Sequence, residues 1–97
     1  MAEIRWTQEA AAWLEDIYGY IAQDNPLAAQ RVVNDIYQRV QLLETFPLLG
    51  CRHRSEPEGE IRILFFGHYR IAYLVRDPST IEVLGVFHSA LDIDRYL

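Results

Sequence analysis

Three apolar runs fill the C-terminal half of the chain, at residues 60–66, 69–76 and 81–88, and only Gly67-His68 and Asp77-Pro78-Ser79-Thr80 separate them. Parallel pairing needs a crossover of about a dozen residues or more, so connections this short force each run to lie antiparallel beside the next. No other feature narrows the possible folds so far.

The N-terminal half reads as helix. The stretch AEIRW at residues 2–6 alternates weakly, as a short strand does, and ends at Thr7, whose hydroxyl suits a helix N-cap. From Gln8 to about Gln23, Trp13, Ile17 and Ile21 recur every fourth residue, with Leu14 and Tyr18 beside them, and form one apolar stripe. Asp24-Asn25-Pro26 then breaks the pattern, and Pro26 suits the first position of a second helix running to about Glu44. That helix buries Val32, Val33, Ile36, Val40 and Leu43. So brief a link folds the two helices into an antiparallel hairpin. Pro47 and Gly50 end the helical region, a polar loop is expected to about Gly59, and Asp92 to Leu97 read as a short helical turn. The expected fold is α+β, one domain over residues 1–97, ordered strand, helix, helix, strand, strand, strand.

Composition bounds the function. The chain has 97 residues, 51% of them hydrophobic, which is enough for a packed core covering roughly 60–70% of the unfolded surface. Cys51 has no partner for a disulfide, and the opening MAEIRWTQE is not a secretory signal, so a reducing cytoplasm is the expected setting. No apolar run approaches the roughly 18–20 residues that span a bilayer. Fourteen acidic residues against nine basic ones give a net charge of −5, which speaks against naked nucleic acid as the primary partner, since such affinity comes from neutralising phosphates. All nine basic residues are arginine. Arg52, Arg54, Arg62, Arg70 and Arg76 cluster near His53, His68 and His88, so a local basic patch is expected on an acidic protein.

Strand alternation suggests where those residues point. If parity is kept across the turns, the odd positions Ile61, Ile63, Phe65, Ile71, Tyr73, Val75, Ile81, Val83 and Phe87 form the floor beneath the helices. The even positions then place Arg62, Arg70, Arg76, Glu82 and His88 together on the reverse face, among Leu64, Phe66, Leu74, Leu84 and Val86. An apolar surface with embedded arginines suits coverage by another macromolecule. The arginines equally suit ion pairs with Glu60 and Glu82, and His88 a structural hydrogen bond. Cys51 and His53 lack the further ligands of a zinc site, and the chain has no phosphate loop, nucleophile elbow or HExxH motif, so no metal or cofactor is expected.

The stretches ETFPLLGCRHR, IRILFFGHYRIAYLVRD and IEVLGVFHSALD carry a resemblance over essentially the whole chain. Pro47, Gly50 and Arg52 in one turn, Tyr69-Arg70-Ile71 with Tyr73, and a last strand ending at His88 resemble the RelE/ParE superfamily of toxins from bacterial toxin-antitoxin modules. The resemblance implies a small twisted antiparallel sheet with a helical hairpin on one face, and a ParD-like antitoxin that wraps over the toxin. It implies one of two activities. RelE-like members cut mRNA on the ribosome, a metal-independent chemistry for which Arg70, His88 and Arg62 are the catalytic candidates here. ParE-like members poison DNA gyrase by binding it. Lysine is absent, Ala90 lies near where RelE has an arginine, and the tail HSALDIDRYL is similar to ParE endings. The ParE-like reading is therefore favoured, with Arg62, Arg70 and His88 as candidate target contacts and Leu64, Phe66, Leu74 and Leu84 as candidate antitoxin contacts. A degenerate member that binds antitoxin without toxicity is the third reading.

Overall fold

The computed structural model describes residues 1–97. Strand β1 (Glu3–Trp6) leads into α1 (Gln8–Ala22) through Thr7. The Thr7 hydroxyl accepts from the Ala10 N–H at 3.1 Å, satisfying a donor at the helix start, and donates to the Val83 carbonyl at 2.8 Å. The helix cap is thus also a joint to the sheet. Asn25 caps α2 (Pro26–Gln41) through its side-chain oxygen and Ala28 N at 3.0 Å, with Pro26 at the first turn as expected. A 3-10 turn, Leu42–Glu44, finishes the second helix.

The strands are β2 (Cys51–Glu56), β3 (Gly59–Phe66), β4 (Tyr69–Asp77) and β5 (Thr80–His88). They form one five-stranded sheet, ordered β1-β5-β4-β3-β2, in which β1 runs parallel to β5 and every other pair is antiparallel. β2 occupies the stretch expected to be a polar loop. An edge strand of sequence CRHRSE has no apolar alternation to betray it and takes its shape from pairing with β3.

The register overturns the expected faces. Gly67, with φ +56°, forms the first central position of a two-residue turn that sets Phe66 opposite Tyr69. Such a turn pairs even residues with odd ones, so Leu64 faces Ile71 and Arg62 faces Tyr73. Parity is inverted rather than kept. A second irregularity adds Leu84 between the Tyr73–Val83 and Ala72–Gly85 pairs, and beyond it Phe87 changes sides to meet Arg70 while His88 meets Tyr69.

Two apolar clusters follow. Beneath the helices Leu64, Ile71, Tyr73, Ile81, Val83 and Val86 pack with Ile36, Val40 and Leu43. On the reverse face Ile63, Ala72 and Phe87 pack with Ile93, and Leu84, Leu91 and Leu97 close around them. The reverse face is therefore not bare. The C-terminal segment, ending in a 3-10 turn at Ile93–Arg95, lies over it. Trp13 of α1 touches both clusters. No helix is long and apolar enough to cross a membrane.

Candidate functional site

Arg62, Arg70 and His88 do not share a surface. Arg62 lies on the helix-facing side of β3, opposite Tyr73, while Arg70 lies on the reverse side of β4, between Phe65 and Phe87. His88 has the helix-side parity of Tyr69 and Val86 and sits at the exposed strand end. The expected common face is corrected by the two-residue turn and the Leu84 bulge.

Each arginine is already engaged. Arg62, only 17% exposed, donates through Nη1 to the carbonyls of Leu48 at 3.2 Å and Gly50 at 2.6 Å, and its Nη2 lies 3.2 Å from Glu60. Beside it the Tyr73 hydroxyl accepts from Gly50 N–H at 2.8 Å and donates to the Pro47 carbonyl at 2.9 Å. Burial raises the Tyr73 pKa, and the hydrogen bond from Gly50 partly offsets it. Arg70 donates through one terminal nitrogen to the carbonyls of Ser89 and Leu91. The Nδ1 of His88 accepts from Ala90 N–H at 3.2 Å, and its ring stacks 6.3 Å from His68.

The wider patch is also internally paired, as the alternative reading of the arginines expects. Arg76 meets Glu82 at 3.0 Å, Arg52 meets Glu60 at 3.3 Å, and Arg54 meets Glu56 at 2.7 Å and the Leu97 carbonyl at 3.0 Å. These groups clamp backbone and carboxylates, so no cluster of free guanidinium groups converges on a place where a phosphate would sit.

His53 lies 2.7 Å from Asp94 in the C-terminal turn, and Arg54 reaches the same carboxylate at 3.4 Å. The His53 hydrogen bond, aided by the charges of His53, Arg54 and Arg70, lowers the Asp94 pKa from 3.8. A depressed carboxylate stabilises the docked turn above its unfolded value and loses that contribution as the pH falls through the lowered one. Acid titration followed by Trp13 fluorescence should therefore report loosening below about pH 4, because Trp13 packs edge-on against Tyr96 at 5.1 Å. Asp94→Asn should remove that transition, and an unchanged titration in the variant would count against the latch.

The four candidate antitoxin contacts also separate. Leu64 and Phe66 face the helices, Leu64 in the core and Phe66 half-buried under the Arg39 guanidinium at 5.4 Å. Leu74 and Leu84 lie toward the reverse side, the first buried and the second packed on Phe87 and its neighbours. They form no joint surface. The open apolar surface lies instead around the helical hairpin. One groove of about 410 Å³ separates α1 from the C-terminal tail, another of about 520 Å³ is lined by Trp13, Ile17, Tyr20, Tyr69, Val86 and Leu91, and a third of about 310 Å³ runs between the helices past Trp6, Leu14, Tyr18, Val33 and Tyr37. Trp6 and Tyr37 stack at 6.0 Å in the last of these, and Tyr18, Tyr20 and Tyr37 remain substantially exposed. The signal in the sequence is an excess of aromatic residues on the helices, which periodicity alone assigns to the core.

Comparison with known proteins agrees with this architecture. Residues 4–93 match the family model described as ParE toxin of type II toxin-antitoxin system, parDE. A Sinorhizobium fredii protein named "Putative toxin Y4kP" is 38% identical over 86 residues, covering 89% of this chain and 86% of that one. A solved structure described as a chromosomal ParDE TA system from P. aeruginosa superposes with a TM-score of 0.72 at 28% identity, over 91% of this chain and 96% of its own. A match over nearly the whole length, on a fold with the same helical hairpin and sheet, places this chain in the ParE toxin family of type II toxin-antitoxin systems.

Proposed function

We propose that this toxin acts by binding DNA gyrase, without hydrolytic chemistry of its own, and that a ParD-like antitoxin neutralises it. The observation that carries the reading is the divergence of Arg62 and Arg70 onto opposite faces of the sheet, each with its guanidinium engaged by carbonyl oxygens. RNA cleavage needs a base for the 2′-hydroxyl, cationic donors for the phosphorane and an acid for the leaving oxygen, all within hydrogen-bond reach of one phosphate. A toxin that works by occupying a protein surface has no such requirement. A net charge of −5 supports the same reading, because a ribosomal cavity is lined with phosphate. The ParDE system among the similar solved structures supports an antitoxin partner.

Purified gyrase should lose supercoiling activity in the presence of the purified toxin and regain it when the cognate antitoxin is added. In a translating extract the same toxin should leave mRNA intact. Codon-positioned cuts together with unimpaired supercoiling would overturn the proposal.

A further inference from the structure

The turn after the second helix exposes three large apolar side chains in close succession: Phe46 at 57%, Leu48 at 60% and Leu49 at 45%. A scattered surface leucine needs no explanation, but a contiguous apolar knob marks a contact site. The interior is unusually committed to holding this knob still. The hydroxyl of fully buried Tyr73 is used on both sides of the turn, toward Gly50 N–H and the Pro47 carbonyl, and largely buried Arg62 holds the Leu48 and Gly50 carbonyls. Gly50 lies so close to the sheet that a Cβ there would stand 2.7 Å from the Ile63 carbonyl oxygen and 2.9 Å from the Tyr73 ring. Within the turn itself, Phe46 N–H bonds to the Leu42 carbonyl at 2.9 Å and Leu49 N–H to the Phe46 carbonyl at 3.1 Å.

Burying a hydroxyl and a guanidinium is unfavourable, all the more because the Arg62 Nε stays buried without a hydrogen-bond partner, and a turn that only had to reverse the chain has no need of either. Here both fix a backbone whose side chains face water. We infer that the Phe46–Leu49 turn is a preorganised apolar anchor by which this toxin enters a pocket of its folded protein target. The inference rests on the reading that the toxin acts by binding. Shape selects the occupant. A rigid projecting knob needs a concave partner, and an apolar cleft of that kind belongs to a folded protein. An antitoxin segment laid over the toxin as a strand or helix instead needs grooves to receive its own side chains, and those run along the helical hairpin. Little ordering entropy remains to be lost when such a turn docks.

The test compares wild type with a Phe46→Ser, Leu48→Ser, Leu49→Ser triple variant, with Leu48→Lys alone, and with Tyr73→Phe, which removes only the hydroxyl that positions the turn. Binding to purified gyrase and to the cognate antitoxin, taken from the adjoining reading frame, is measured for each. The triple variant and Leu48→Lys should keep their antitoxin affinity and lose about 100-fold and about tenfold, respectively, in gyrase affinity. Tyr73→Phe should lose less gyrase affinity, again with antitoxin binding retained. Unchanged gyrase binding in the triple variant overturns the inference, as does a loss confined to the antitoxin. Should wild type itself fail to bind gyrase, the proposed target is wrong, and growth inhibition judges the turn separately. Toxicity abolished in the triple variant with antitoxin binding intact supports an anchor for another protein target, and toxicity retained overturns it.

Discussion

Phe87→Ala is expected to destabilise this protein by about 3–5 kcal/mol, a large share of the total for a domain of this size. Phe87 is 1% exposed and meets Trp13 edge-on with ring centres 4.7 Å apart, while Tyr96 stacks on it at 5.7 Å. Its ring fills the space above Gly85, where an added Cβ would stand only 2.3 Å from it. Removing the ring therefore opens a cavity where the first helix, the last strand and the C-terminal turn meet, and backbone on the sheet side has little freedom to collapse into it. Urea unfolding of the purified variant measures the loss. A change below about 1 kcal/mol would show that the reverse-face cluster is not a true core.

Arg70→Ala is the second large effect. The Arg70 guanidinium ties the carbonyls of Ser89 and Leu91 to the sheet, and charged hydrogen bonds of this kind contribute about 1.5–3 kcal/mol. The variant should release the C-terminal segment, seen as faster hydrogen exchange at the Leu91 amide, which bonds to the His88 carbonyl at 3.0 Å, and at Leu97. Toxicity should fall with it. Arg70→Lys is not expected to rescue either property, because a compact, strongly hydrated ammonium on a flexible stem is costlier to hold against carbonyls at a partly buried site than a planar guanidinium. Retained exchange protection in a variant that is no longer toxic would instead make Arg70 a direct target contact.

The helices and the three long strands are legible in the sequence because their signals are local. Thr7 and Asn25 act as caps, Pro26 begins a helix, and period-two runs meet across turns too short for any crossover. What the strands display is harder to read. The turn at Gly67-His68 is visible in the sequence, yet its consequence, that Arg62 and Arg70 part company, emerges only when residues are paired across it. The Leu84 bulge is marked only by the isolated strand glycine Gly85 beside it, which does not say which residue is extra, and it alone moves Phe87 to the reverse face. β2 is hidden because an edge strand borrows its order from a neighbour, and the cover over the reverse face because Leu91, Ile93 and Leu97 form no period long enough to register. The common face expected for Arg62, Arg70 and His88 is not formed. Arg62 proves to be a clasp on the Pro47–Gly50 turn and Arg70 a clasp on the tail.

The parallel pairing of the first strand with the last has a consequence for how the toxin comes into being. Glu3 to Trp6 find their neighbours at Thr80 to Val83, and the Thr7 hydroxyl meets a carbonyl 76 positions further along the chain. The strand at Glu3 to Trp6 thus leaves the ribosome with nothing to pair against until Thr80 to Val83 have been synthesised. Contacts so distant in sequence also close slowly. A cell making this protein has an interval before each new copy acquires its finished sheet, and a product cut off before Thr80 lacks the strand that β1 pairs with and never completes one.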